Sequence, residues 1–361
     1  MKAKINEINI VRAIAILAVL IIHGTSNATV DLNPVSYSQH LYLALNKFSN
    51  FAVPVFILIS GLVLFYRYVD SWNTKEMVGF YRKRLQQILI PYLLWSLFYN
   101  LFNQWLLHPS HPELIQFHPK YFLSLLPLGS ANYHLYFISI ITQFYVIFPI
   151  LMYATQRFLW VKKYLIWISA GVQVGFYSLH HWFVKIPHSA DLFVTYFVFF
   201  CVGGWIGMNY PQFSAWVKRF SRSISAAAVL LGVSYALLYV LMNHHIYFPI
   251  PVYDLVFNLY PFAMGFALLL LGKRVLQASN IFSTMLNSIG TASFGIYFMH
   301  PIILSLWRTF IQYPGNIWLY HVYTASELLL AIVIPWGVTR LYQQRNLLRP
   351  LSRQRQNQHS A

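Results

Sequence analysis

The chain has 361 residues, of which 58% are hydrophobic and only 9% charged. Soluble domains carry about 25% charged residues, so a water-soluble globule is excluded. An aromatic content of 18%, spread through long apolar runs, excludes disorder. The single cysteine, Cys201, excludes a disulfide framework and any multi-cysteine metal site within the chain. What remains is an all-α, polytopic integral membrane protein.

A helix crossing the bilayer needs about 20 mostly apolar residues. Ten runs meet this need, over residues 8–27, 42–66, 88–107, 133–156, 163–181, 191–209, 223–243, 253–272, 290–311 and 322–341. The expected organisation is a transmembrane domain over 1–342, of about ten helices, followed by a basic cytoplasmic tail over 343–361. Lysine and arginine set the orientation. With both termini in the cytoplasm, 20 of the 25 basic residues fall on inside segments. Lys47, Lys120, Lys185 and Arg308 fall on or near the outside, and Arg12 lies within the first run. Topology therefore accounts for the net charge of +17, helped by attraction to anionic membrane lipids. No basic-aromatic recognition module appears, so nucleic acid is not an expected partner.

The first run contains "RAIAILAVLIIH". Eleven residues separate Arg12 from His23. At 100° and 1.5 Å per residue this is three turns plus about 20°, and about 16 Å of rise. The two side chains share one helix face. Either Arg12 snorkels to the headgroups while His23 makes a polar contact between helices, or the stripe holds an anionic group at Arg12 and moves a proton at His23.

The second run, "FSNFAVPVFILISGLVLFYR", is made irregular by Pro54 and Gly61, and Arg67 closes it. Arg82, Lys83 and Arg84 then lead into the third run. The positive-inside rule explains this cluster, and phosphate recognition by arginine forks explains it too; the residues alone lean to the former. The connection over 108–132 carries His108, His111, His118 and Lys120 before "YFLSLLPLG", which predicts a short interfacial helix. His134 opens the fourth run at its outer interface. In the ninth run, His300 stands mid-membrane before Pro301, where it satisfies backbone groups freed by the proline. Arg308 and Glu327 lie at similar depth on the last two runs and are predicted to form a structural pair. Eleven of the fourteen histidines fall outside, at spacings that match no tight ligand pattern, so no metal site is expected. No internal repeat stands out, which weakens a transporter built from two related halves. No phosphate loop and no Ser-His-Asp order appears.

Five segments together resemble the acyltransferase family 3 membrane proteins. They are the basic residue and histidine of the first run, "PVFILISGLVLFYR", "FYRKRLQQILIPYLLW", "YHLYFISIITQFYVIFP" and "SFGIYFMHPII". They extend over roughly residues 5–342 in family order. The chain is most similar to the Gram-positive branch that modifies surface polysaccharides, including intercellular-adhesion polysaccharide export proteins. The resemblance implies a bacterial plasma-membrane O-acyltransferase. It would move an acyl group, acetyl being the expected one, from cytoplasmic acyl-CoA to a hydroxyl of a cell-surface or lipid-linked polysaccharide. Acyl-CoA is then a co-substrate, and no tightly bound cofactor is expected. Its phosphates would be held by Arg12, Arg67, Arg82 and Arg84. His23 would act as general base or carry the acyl group transiently, with Arg12 on the same stripe. His134 and His300 would orient the acceptor or relay a proton. The alternative is a polysaccharide exporter or flippase that transfers no acyl group. A sensory or scaffold role has little support without a signalling domain.

Overall fold

The computed structural model describes residues 2–359, with side chains described as far as Arg345. Every regular element among the described residues is helical. In chain order these are α1 (Glu7–Thr25), α2 (Ala28–Asp31), α3 (Tyr37–Phe48), α4 (Ala52–Tyr68), α5 (Thr74–Arg84), α6 (Ile90–Leu107), α7 (Pro119–Leu125) and α8 (Tyr136–Arg157). Then follow α9 (Leu159–Ser178), α10 (Phe197–Met208), α11 (Tyr210–Arg219), α12 (Ser221–Asn243), α13 (Ile250–Ala278), α14 (Ile281–Phe310) and α15 (Ile317–His359). The helix α7 is the short element predicted at "YFLSLLPLG". Of the basic tail expected at 343–361, the side chains from 346 onward lie outside the described residues.

Seven helical stretches are long and apolar enough to cross a membrane, or up to eight if the bent pair around Asn209 counts as one span. The three expected runs that fall short have visible reasons. Asn100, Asn103 and Gln104 lower the apolarity of α6, and Lys162, Lys163 and Gln173 do the same for α9. The run at 191–209 is short because the chain bends by 101° between Phe193–Met208 and Tyr210–Arg219. Pro211 sits in the first turn of α11, where its missing N–H is no loss but where it cannot continue the preceding helix.

The chain forms two compact units, one of Met1–Lys4 with Val53–Phe220 and the other of Ile5–Ala52 with Ser221–Ala361. In the first, α4 and α10 approach backbone to backbone. A side chain at Gly61 would run into the Phe200 carbonyl, and one at Gly203 into the Leu58 carbonyl. Small residues at these positions permit the contact, as at helix crossings in lipid generally. Beside it lies a buried aromatic cluster in which Phe144 stacks on Phe200 at 4.3 Å and Phe80 lies 5.2 Å from Phe148.

In the second unit, α1 is the central helix and is packed by α3, α13, α14 and α15. Its buried residues cover most of its circumference, from Ile8, Ile10 and Val11 through Ala13, Ala15 and Ile16 to Leu20. A helix that is apolar on nearly every side is buried by its neighbours. Near its start, Asn9 Nδ2 donates to Asn287 Oδ1 at 2.9 Å, and Gly290 of α14 lies against the Asn9 carbonyl. Lys273 Nζ stands 3.6 Å from Glu7 Oε1. Near its end, Asn46 Nδ2 donates to the Ile22 carbonyl at 2.8 Å and so satisfies one of the last acceptors of the helix.

Candidate active site

Arg12 and His23 both sit on α1, which runs unbroken between them. Their shared face, about 16 Å from end to end, is therefore kept in the fold. Both side chains are half-buried. Packing of α14 on α1 brings the His300 ring onto the His23 ring, with centroids 5.4 Å apart and planes 25° from parallel. His300 is fully buried. Its Nδ1 stands 3.1 Å from the Ile296 carbonyl, four residues back. A carbonyl only accepts, so Nδ1 carries the proton and Nε2 bears the lone pair of the neutral ring. Pro301 withholds the N–H that would reach the Tyr297 carbonyl, and His300 lies within hydrogen-bonding reach of that group as well. The backbone role and the site role predicted for His300 are thus compatible.

The pairing predicted for Arg308 and Glu327 is present, with Nε and Oε1 2.5 Å apart. The fold adds what the sequence reading did not include. The same guanidinium donates to the His23 carbonyl at 2.8 Å, the Gly24 carbonyl at 3.5 Å and Asn27 Oδ1 at 3.2 Å. It therefore caps the last turn of α1, where a cation is favoured by the helix dipole. Glu327 leaves 2% of its side chain exposed and Arg308 leaves 23%. This is a buried charge pair that fixes the segment carrying His23. A signal was available in sequence: Arg308 follows His300 by about two turns of one helix.

His134, which opens the fourth run, stands two residues ahead of the helix that forms there. It lies in the turn before α8 and is buried, with 1% of its surface exposed. Its Nδ1 is 3.0 Å from Asn132 Oδ1, and the Tyr99 ring meets it edge-on at 4.9 Å. Asn132 Nδ2 in turn donates to Asn103 Oδ1 at 3.3 Å. Tyr99 and Asn103 on α6 and Asn132 in the turn before α8 were missed because single polar or aromatic residues on separate elements carry no pattern that links them to His134. His134 belongs to the unit of Val53–Phe220, whereas Arg12, His23 and His300 belong to that of Ile5–Ala52 with Ser221–Ala361.

Arg67, Arg82 and Arg84 lie in the same unit as His134. Arg67 and Arg82 are exposed and Arg84 is half-buried. Two residues apart on α5, Arg82 and Arg84 point to opposite sides of the helix. The Arg84 guanidinium lies over the Tyr145 ring at 4.8 Å and the Phe80 ring at 5.3 Å. The predicted basic cluster is therefore divided into a surface residue and an aromatic-stacked one. Among the described residues no carboxylate forms an ion pair with any of the three.

The acyltransferase domain of family 3 matches the chain over residues 5–340, a stretch that contains all the candidate site residues. The chain belongs to acyltransferase family 3. Among curated proteins, this family member is 27% identical over 350 residues to a "Probable poly-beta-1,6-N-acetyl-D-glucosamine export protein" of Staphylococcus epidermidis, covering 94% of this chain and 91% of the relative. A protein of the same description from Staphylococcus aureus is 25% identical over 311 residues, 82% of each chain. No solved structure matches. Membership and the run of apolar helices make this a multi-pass membrane protein of acyltransferase type. Acyl transfer needs a base for the attacking hydroxyl and fixed positive charge for the oxygen that becomes negative. The stacked His23–His300 pair lies beside Arg308, whose guanidinium is itself paired with Glu327.

Proposed function

We propose that the protein is an integral plasma-membrane O-acyltransferase. It takes an acyl group, acetyl in the first instance, from cytoplasmic acyl-CoA and delivers it to a hydroxyl of a surface or lipid-linked polysaccharide. In this reading the chain crosses the membrane ten times with both termini in the cytoplasm. The distribution of lysine and arginine supports that orientation. The observation that carries the chemistry is the His23–His300 stack, held against a guanidinium bonded to the carbonyl of His23 itself.

His23 accepts the proton of the acceptor hydroxyl as its oxygen attacks the thioester carbonyl, and returns that proton to the departing sulfur. The same residue suits a two-step route, in which its ring takes the acyl group and passes it on. Arg308 stabilises the oxygen that becomes negative. His300, with its Nδ1 committed to the backbone, orients the His23 ring. Arg12 binds an anionic part of the donor at the other end of the α1 stripe. Arg67, Arg82 and Arg84 are proposed as phosphate ligands in their own unit, with the aromatic stack presenting the Arg84 fork. His134 has a supporting role in binding the acceptor.

The test is acylation of the polysaccharide by membranes containing His23→Ala, with acyl-CoA supplied. Loss of a positioned general base costs about 10²–10⁴-fold in rate. A normal rate in correctly folded His23→Ala overturns the mechanism. The names of the staphylococcal relatives favour a second reading, export of the glycan without acyl transfer. Reconstituted vesicles separate the two: glycan movement independent of acyl-CoA, with no ester formed, is the exporter's signature.

A further inference from the structure

A second set of reactive groups, distinct from the stacked histidines, lies in the unit of Ile5–Ala52 with Ser221–Ala361. Ser38 and Tyr42 are one turn apart on α3, and both reach His321 of α15. Ser38 Oγ is 3.3 Å from His321 Nε2, and Tyr42 OH is 2.8 Å from Nδ1. The imidazole thus bridges two hydroxyls, one on each ring nitrogen. Ser38 and His321 are 283 residues apart, so no sequence motif announces the contact.

In the tautomer with Nδ1 protonated, Nδ1–H of His321 donates to the Tyr42 oxygen, while Nε2 bears the lone pair and accepts the Ser38 O–H. That is the arrangement of an activated nucleophile: a hydroxyl, a base within hydrogen-bond reach, and a third group that orients the base. Tyr42 is buried and its ring is tilted against the imidazole at 5.5 Å, while Trp318 meets the same imidazole edge-on at 6.1 Å. His321 is held in place from both sides. Ser38 itself is half-exposed, and a reagent can reach it. It stands in the first turn of a 12-residue helix, next to backbone N–H groups aimed out of the helix end.

We infer that Ser38 is a nucleophile that takes an acyl group from an activated acyl donor, with His321 as its base and Tyr42 as a positioning residue. Ser38 Oγ bonds to the acyl carbon as its proton passes to His321 Nε2. The bond from that carbon to the leaving sulfur or oxygen breaks, and the leaving group takes the proton from His321. A second hydroxyl then attacks the serine ester by the same steps in reverse, and Ser38 is restored. The identity of the donor as a thioester rests on the function proposed above; the reactivity of Ser38 does not.

The experiment treats the full-length protein in detergent with a fluorophosphonate probe and maps the adduct by peptide mass spectrometry. We expect labelling at Ser38, abolished in Ser38→Ala, reduced more than tenfold in His321→Gln and severalfold in Tyr42→Phe. No adduct at Ser38, or one formed equally fast in His321→Gln, overturns the inference. A second measurement guards against a disturbed fold. In Ser38→Cys, alkylation of the new thiol by iodoacetamide should be at least tenfold faster than in the Ser38→Cys/His321→Gln double variant; equal rates also overturn it. His23→Ala distinguishes the two sites, because it should stop acylation of the glycan while leaving the fluorophosphonate adduct at Ser38 intact. Normal glycan acylation in that variant would instead remove the His23 mechanism and leave the Ser38 inference standing.

Discussion

Arg308 and Glu327 invite the most direct test of how the site is held. Glu327 is almost entirely buried and Arg308 is mostly so, and one guanidinium links α15 to the last turn of α1. Replacing Glu327 with leucine strands a cation, and replacing Arg308 with methionine strands a carboxylate. Removing one partner of a buried pair costs about 3–5 kcal/mol. Replacing both with apolar residues of similar volume costs much less, because no uncompensated charge remains. The double variant should therefore be more stable than either single variant. The reading is helix content by circular dichroism in an SDS titration of the purified protein. Activity should separate from stability. Arg308→Met and the double variant both lose the hydrogen bond to the His23 carbonyl, so both should transfer acyl groups poorly although the double variant is well folded. Glu327→Leu keeps the donor and should retain more activity per folded molecule. A double variant less stable than both singles, or one with full activity, would refute the reasoning.

Three further outcomes follow from the same geometry. His300→Phe preserves a ring against His23 but removes both nitrogens; the protein should fold, and acylation should fall by about 10–10²-fold, at the low end of acid–base effects. Gly290→Val drives a side chain into the Asn9 carbonyl; it should cost about 1–3 kcal/mol by overpacking and lower activity with it, whereas Gly171→Ala, with open space around it, should do neither. Arg84→Gln should raise the KM for acyl-CoA more than that for the sugar, and should also lose about 0.5–2 kcal/mol of stacking on Tyr145; Arg67→Gln, exposed and over the Tyr68 ring at 5.4 Å, should show the same KM effect with a smaller loss of stability. A KM effect confined to the sugar would place the donor elsewhere.

The outcomes for individual residues show how far local pattern reaches. Arg12 and His23 share a face because helix pitch alone relates residues eleven apart, and α1 is unbroken. The Arg308–Glu327 pair was legible because two opposite charges at one depth in an apolar medium have few other partners. Seven of the ten hydropathy runs became helices suited to crossing a membrane. The other three form shorter or less apolar helices, because of the bend beside Asn209 and of the amides and lysines within the runs.

Composition and periodicity by themselves determined the helical class and the membrane habit, since each depends on residues within a few turns of one another. Tertiary structure decided which helix faces meet. It set the His300 ring on His23, turned Arg84 into an aromatic stack while Arg82 faced outward, buried His134 among asparagines, and brought His321 between Ser38 and Tyr42. Those contacts depend on how each helix is rotated and how closely it can approach its neighbour. Such rotations and distances are settled by packing, at positions such as Gly290 against Asn9, and no stretch of a single helix encodes them.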